Sequence, residues 1–292
     1  MHASKALRTS SAIIMCRIYA TIQSKEMATI ITFKKYVRPQ SLQEAWELNQ
    51  KKRARIIGGM MWLKMGKHSF GTAIDLCDLG LNTIEETEEE FRMGAMVTLR
   101  QLEKHKGLAT YSCGTVERAL CDIVGVQFRN TATLGGSLWR RMGFSDIITV
   151  FRGMDASVEL FDAGIVPLED FVNMKYDNDL LVRLIVRKRP GTFAYQAVRK
   201  QRTDLPSLNV AASLIESDLR VVVGSRPAVA MEVPDKLGIL AKGITEDAAR
   251  AFADYAAATV PTSSNLWGSG EYRTRLVRVL VRRALLELKE AQ

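Results

Sequence analysis

Two pairs of adjacent glycines constrain this chain most: Gly58-Gly59, and Gly135-Gly136 within Arg129-Asn130-Thr131-Ala132-Thr133-Leu134-Gly135-Gly136-Ser137. A turn without Cβ atoms lets backbone N–H groups converge on an anion and form a nest that needs no lysine. Two such turns together predict a diphosphate gripped in a crevice between two lobes. Thr133 and Ser137 bracket the second pair with hydroxyls able to donate to phosphate oxygens. Asp146, downstream, offers a carboxylate to ribose hydroxyls or ring N–H groups. Taken locally, the pattern equally permits a strand–turn–strand in which glycine supplies only a positive φ.

Other segments extend the pattern in order along the chain. Phe33, Tyr36, Pro39, Ser41, Glu44 and Ala45 precede Ile56-Ile57-Gly58-Gly59. Ile74-Asp75-Leu76 and Met93-Gly94-Ala95-Met96-Val97-Thr98-Leu99 follow. Near the other end stand Gly268-Ser269-Gly270-Glu271-Tyr272-Arg273 and Val279-Leu280-Val281-Arg282-Arg283-Ala284-Leu285. From about residue 28 onward these stretches resemble the FAD-binding subunits of molybdenum hydroxylases, the xanthine dehydrogenase and carbon monoxide dehydrogenase family. Ordered co-occurrence of several motifs is far more specific than any one of them.

The resemblance implies an FAD site built from Ile56, Ile57, Gly58, Gly59, Met60, Met61 and Trp62 in the first loop, with Thr133, Gly135, Gly136, Ser137 and Asp146 in the second. It places Ile123, Val124, Leu180 and Leu181 where the family packs apolar residues against the adenine and ring system; plain core packing is the alternative for each. Departures are informative. The family's first loop usually reads G-G-T-D-L, so Met60 and Met61 stand where a hydroxyl and a carboxylate are expected, and backbone donors alone remain. Ser137 replaces an asparagine. Gln196 aligns with a lysine that reaches the flavin ring in some members, and a neutral amide stabilises an anionic reduced flavin less than a cation does. Arg199, Lys200 and Arg202 are candidates to compensate. Arg140 and Arg141 either neutralise phosphate charge or form a solvated basic loop.

Composition narrows the remaining classes. A chain of 292 residues, 47% hydrophobic and 25% charged, is large enough for two domains with their own cores. The longest apolar runs, such as Ser11-Ala12-Ile13-Ile14-Met15-Cys16, are too short to cross a bilayer. The formal charge of +9 is spread along the chain without a nucleic-acid motif, which favours steering of an anionic cofactor or partner. Cys16, Cys77, Cys113 and Cys121 and the three histidines lack metal-ligand spacing, and the cysteine usage fits a reducing cytoplasm. No complete G-x-G-x-x-G, Walker A, H-E-x-x-H or G-x-S-x-G is present.

Residues 1–26 carry Lys5, Arg8, Arg17 and Lys25 with no acidic residue before Glu26. They resemble a transit peptide superficially and read more simply as an upstream extension before Met27. Ser41 caps a helix with Glu44 at the capping-box position. Glu85 to Glu90 form a solvated hairpin tip, because a block of like charge is costly to bury. Short helices are expected over 98–105 and 115–124, and strands over 156–160 and 180–186. Arg187-Lys188-Arg189-Pro190-Gly191 marks a domain boundary. Beyond it, segments 193–200, 208–215 and 219–224 suggest an antiparallel sheet, followed by helices over 246–258 and 271–288. The second helix places Val277, Leu280, Val281, Ala284 and Leu288 on one face and Arg275, Arg278, Arg282 and Arg283 outside it.

The expected protein is α+β. Residues 27–187 form a two-lobed FAD-binding domain of the PCMH or vanillyl-alcohol-oxidase type, and 188–292 a smaller C-terminal domain. The resemblance implies an oxidoreductase subunit that needs no catalytic side chain or metal of its own. Its partners would be an iron–sulfur subunit and a molybdopterin subunit, with NAD among the acceptors the family admits. A stand-alone FAD oxidase or reductase, and an assembly subunit that has lost FAD, are the alternatives. An exposed apolar patch is expected beside the flavin loops.

Overall fold

The computed structural model describes residues 31–291, so the extension over 1–26 and Cys16 lie outside the described residues. The chain builds three sheets in turn. The first lobe is a parallel sheet of β1 (Thr32–Val37), β2 (Ala54–Ile57) and β3 (Ser69–Asp75), with β3 in the centre. Helix α1 (Leu42–Asn49) crosses from β1 to β2. Its N-cap is Ser41, whose Oγ accepts from Glu44 N at 3.1 Å; the Glu44 carboxylate reaches back one residue further, to Gln40 N at 2.8 Å. Ala45, Ile74 and Leu76 of this lobe share a small core with Leu180 and Val182.

The second lobe centres on a five-stranded antiparallel sheet in the order β4 (Ile84–Glu86), β5 (Glu90–Gly94), β8 (Leu181–Arg187), β6 (Ser157–Leu160), β7 (Gly164–Pro167). The acidic tip falls between β4 and β5, where Lys188 pairs with Glu86 at 2.7 Å. A helical layer covers one face: α2 (Leu99–Lys104), α3 (Lys106–Tyr111), α4 (Thr115–Leu120), α5 (Val126–Thr131), α6 (Leu134–Trp139), α7 (Asp146–Gly153) and α8 (Leu168–Asn173). Thr98 closes a reciprocal capping box with Gln101, which fixes where α2 starts.

The third sheet, β12 (Met231–Glu232), β11 (Asp218–Gly224), β10 (Pro206–Ile215) and β9 (Gly191–Arg199), is antiparallel throughout. Its strands alternate strictly between two apolar environments, which is why β10 is buried almost end to end. Leu208, Val210 and Ala212 face α9 (Glu246–Thr259) and α10 (Gly270–Glu290). Ala211 and Ile215 face the helical layer of the second lobe and share its core. The C-terminal sheet is therefore fused to the lobe before it.

Helix α10 keeps the expected apolar stripe, with Val277, Leu280, Val281, Ala284 and Leu288 buried and Arg275, Arg278 and Arg283 outside. Leu280→Ala, at a side chain 1% exposed, is expected to cost about 2–5 kcal/mol by leaving a cavity between α10 and the sheet. Urea denaturation of the full chain checks it.

Candidate FAD site

The first glycine pair leaves the carboxyl end of β2, the end of a parallel strand where ligand crevices form. Its glycines are required by close approach. A Cβ on Gly59 would overlap the Thr131 carbonyl oxygen, and one on Gly58 would fall on Thr133 Oγ1. The first loop thus lies directly against the segment carrying the second pair. Met60 follows with φ +55°, a left-handed residue that turns the chain back toward a single 3₁₀ turn at Leu63–Met65. The N–H groups of Gly59, Met60, Met61 and Trp62 find no acceptor among the described residues. Lys64, one turn on, sets its ammonium 3.8 Å from Met61 Sδ.

The second pair differs from the expected bend. Gly135 and Gly136 form the first turn of α6, capped by Thr133, whose Oγ1 accepts from Gly136 N at 3.3 Å. Gly135 N donates to Ala95 O at 2.8 Å. A Cβ on Gly135 would come within 2.8 Å of Ala95, so glycine here serves packing against β5's end. The Ser137 hydroxyl donates to Thr133 O at 2.9 Å. Donors expected to grip phosphate at 135–137 are therefore spent inside the protein. The backbone donors without an acceptor among the described residues lie in the first loop, and the second segment packs directly against it.

Ile123 and Val124 form a corner held by the arginine of the second motif. Arg129, 4% exposed, pairs with Glu103 at 2.8 Å and donates from Nη1 to Ile123 O at 3.1 Å. Val124 adopts φ +50°, an outlier for a β-branched residue. Leu180 and Leu181 are buried in two adjoining cores. Ile57 is buried at the end of β2 and Ile56 packs against the small core beneath.

Asp146 opens α7 behind Ser145 and is 5% exposed. Its Oδ1 accepts from Arg199 at 2.9 Å, from Asn209 at 2.9 Å and from the Tyr195 hydroxyl. Burial and the adjoining carboxylate push the Tyr195 phenol well above its usual range. The carboxylate thereby ties α7 to β9 and β10, with Oδ2 left over. Gln196, next to Tyr195 on β9, projects to the opposite face and donates to Glu287 of α10 at 2.6 Å. Of the candidate compensating cations, Arg199 is taken by Asp146, Lys200 by the Leu266 carbonyl and Arg202 by Asp122.

Arg141 corrects the expectation of a phosphate-facing or solvated basic loop. Its guanidinium is buried over the rings of Phe171 at 4.3 Å and Tyr176 at 4.6 Å. Desolvation lowers its pKa, and the aromatic faces supply cation–π compensation. Residues that the motifs do not flag pack against the first loop: Phe128 of α5 and Phe144 both contact Trp62. Exposed Met65, Val124 and Val126 lie on the same segments. Among the described residues no group of side chains is arranged to hold a metal ion, and no helix is long and apolar enough to cross a membrane.

The fold is a two-lobed α+β architecture whose first loop presents a run of backbone N–H groups without an acceptor among the described residues, and donors of that kind fit a diphosphate. The sequence profile of the FAD-binding domain in molybdopterin dehydrogenase matches residues 27–188, so the chain belongs to that family. It is 26% identical over 275 residues to the nicotine 6-hydroxylase medium subunit of Paenarthrobacter nicotinovorans, covering 87% of this chain and 96% of that protein. Its fold is similar to carbon monoxide dehydrogenase from Oligotropha carboxidovorans (TM-score 0.80, 23% identity, 88% of this chain and 98% of that one). It is also similar to quinoline 2-oxidoreductase from Pseudomonas putida 86 (TM-score 0.78, 22% identity, 89% and 97%). The protein is accordingly an FAD-binding oxidoreductase subunit of the molybdenum hydroxylase family.

The Arg129–Glu103 pair gives a stability prediction. Burial raises the Glu103 pKa, but hydrogen bonds from Arg129 and Arg100 outweigh it and hold the carboxyl below its usual value of 4.5. A depressed folded-state pKa contributes stability above the unfolded value and loses it as pH falls through the folded one. Arg129→Ala, which leaves the buried Glu103 with Arg100 as its remaining partner at 2.7 Å, is expected to cost about 1.5–3 kcal/mol at neutral pH and to flatten the decline of stability below pH 4.5. Denaturant titrations of both proteins across that range check it.

Proposed function

We propose that the first loop holds the FAD diphosphate through the backbone N–H groups of Gly59 to Trp62, with Gly58, Thr133, Gly135 and Gly136 forming the wall that keeps it in place. The run of unpartnered donors is the observation that carries this reading. Met60 and Met61 contribute thioethers where the family offers polar side chains, so Lys64 is the nearby cation for the diphosphate charge. Ile123 and Val124 line one side of the crevice. Leu180 and Leu181 support it from within the core, and Ser137 acts by fixing α6. Asp146 meets the dinucleotide through Oδ2, since Oδ1 is taken by Arg199, Asn209 and Tyr195. Gln196 acts on the flavin environment only through its contact with Glu287.

FAD, when bound, supplies two-electron chemistry, and the chain supplies position and electrostatics. In the proposed assembly this chain stands between an iron–sulfur subunit, which delivers electrons drawn from substrate at a molybdopterin subunit, and NAD or another acceptor. The exposed apolar side chains of Met65 and Val126 suit such a partner face. We place the division between FAD-binding and C-terminal domains at residues 187–188, a short turn before β9, and the assembly in the cytoplasm.

Gly59→Ala is expected to abolish flavin retention, because the added methyl forces the two loops apart. Ser137→Ala is expected to keep it, since that hydroxyl is already spent on Thr133. The flavin absorbance of each purified variant decides. Absorbance retained in Gly59→Ala, or absent from the wild type, refutes the proposal.

A further inference from the structure

We infer that Trp62 is a stacking platform for a planar ring of the bound dinucleotide, a specificity-determining contact that this chain supplies from its own departure in the first loop. The inference rests on the FAD reading above and adds a residue role to it.

Trp62 closes the run of four unpartnered N–H donors. A dinucleotide carries its diphosphate between two flat aromatic systems, so a side chain at the end of a diphosphate nest meets one of them. The indole is 39% exposed, unusual for a residue that normally buries most of its surface. Its neighbours come from the opposite lobe: Phe144 at 5.5 Å and tilted 51°, Phe128 at 6.4 Å and edge-on at 74°. Neither lies parallel to the indole, so neither ring is stacked on its face. The three rings form an apolar corner that joins the first loop to α5 and to the segment before α7.

Compensation gives the corner a physical purpose. With thioethers at Met60 and Met61, the loop offers no side-chain hydroxyl or carboxylate at these positions. A ring stacked on indole restores affinity without them. It also prefers a ligand with an aromatic ring to a bare diphosphate, a selectivity that a backbone nest lacks.

The test uses full-length wild type, Trp62→Leu and Trp62→Phe. Trp62→Leu is expected to weaken FAD binding about tenfold, the size of a base–aromatic stack, while Trp62→Phe stays near wild type. The indole emission present in wild type and missing from Trp62→Phe identifies the ring. Quenching by FMN assigns the isoalloxazine, quenching by ADP assigns the adenine, and either supports the inference. FAD bound equally tightly by wild type and Trp62→Leu overturns it while leaving the FAD reading intact. So does Trp62 emission that neither ligand quenches. If Trp62→Leu does not fold, the quenching comparison between wild type and Trp62→Phe decides alone. A wild type that takes up no FAD removes both readings.

Discussion

The site depends on one steric fact: at Gly59 the backbone of the first loop lies against the Thr131 carbonyl so closely that no side chain fits. That contact joins the parallel lobe to the helical layer of the second. It brings together residues separated by about seventy positions. The following N–H groups are left without an acceptor among the described residues, since the glycine pair neither continues β2 nor enters a helix. Unpartnered N–H groups of this kind can bind an anion without lysine or arginine in the turn.

The surrounding structure keeps that contact from slipping. Arg129 links the buried Glu103 to the Ile123 carbonyl and so fixes the left-handed Val124. Asp146 ties the helical layer to the C-terminal sheet through Arg199 and Asn209. Arg273, 1% exposed, donates to the carbonyls of Ser207 and Ser263 and to Asn265, stitching the start of α10 to β10 and the loop before it. Its pKa is lowered by desolvation, and carbonyl oxygens take the place of a carboxylate partner. These charged side chains act as internal ties, and this accounts for several motif residues that would otherwise be read as ligand contacts.

Local signals were the legible ones. Ser41, Thr98 and the amphipathic stripe of α10 could be read because capping and a 3.6-residue period are written within a few positions. Ordered motifs also disclosed the family and the FAD fold. Gly135-Gly136 opens α6 although paired glycines have poor helix propensity, because the Thr133 cap and the contact with Ala95 make the segment helical; a hydroxyl three residues before Gly136 was the available signal. Arg141 was illegible, since its cage comes from Phe171 and Tyr176, about thirty positions away. Gln196 was partly legible: strand alternation puts it opposite Tyr195, but which face meets α10 is a tertiary fact. The aromatic corner at Trp62 combines three distant segments, and spacing alone does not bring them together.

Amide hydrogen exchange across residues 58–64 and 133–138, with and without FAD, reads out which segment holds the diphosphate. Fast exchange is expected at Gly59 to Trp62 in the flavin-free chain and marked slowing when FAD is added, while Gly135 and Gly136 are protected in both states. FAD binding that leaves the Gly59–Trp62 amides fast, with new protection at Gly135 and Gly136 instead, contradicts binding through the first loop.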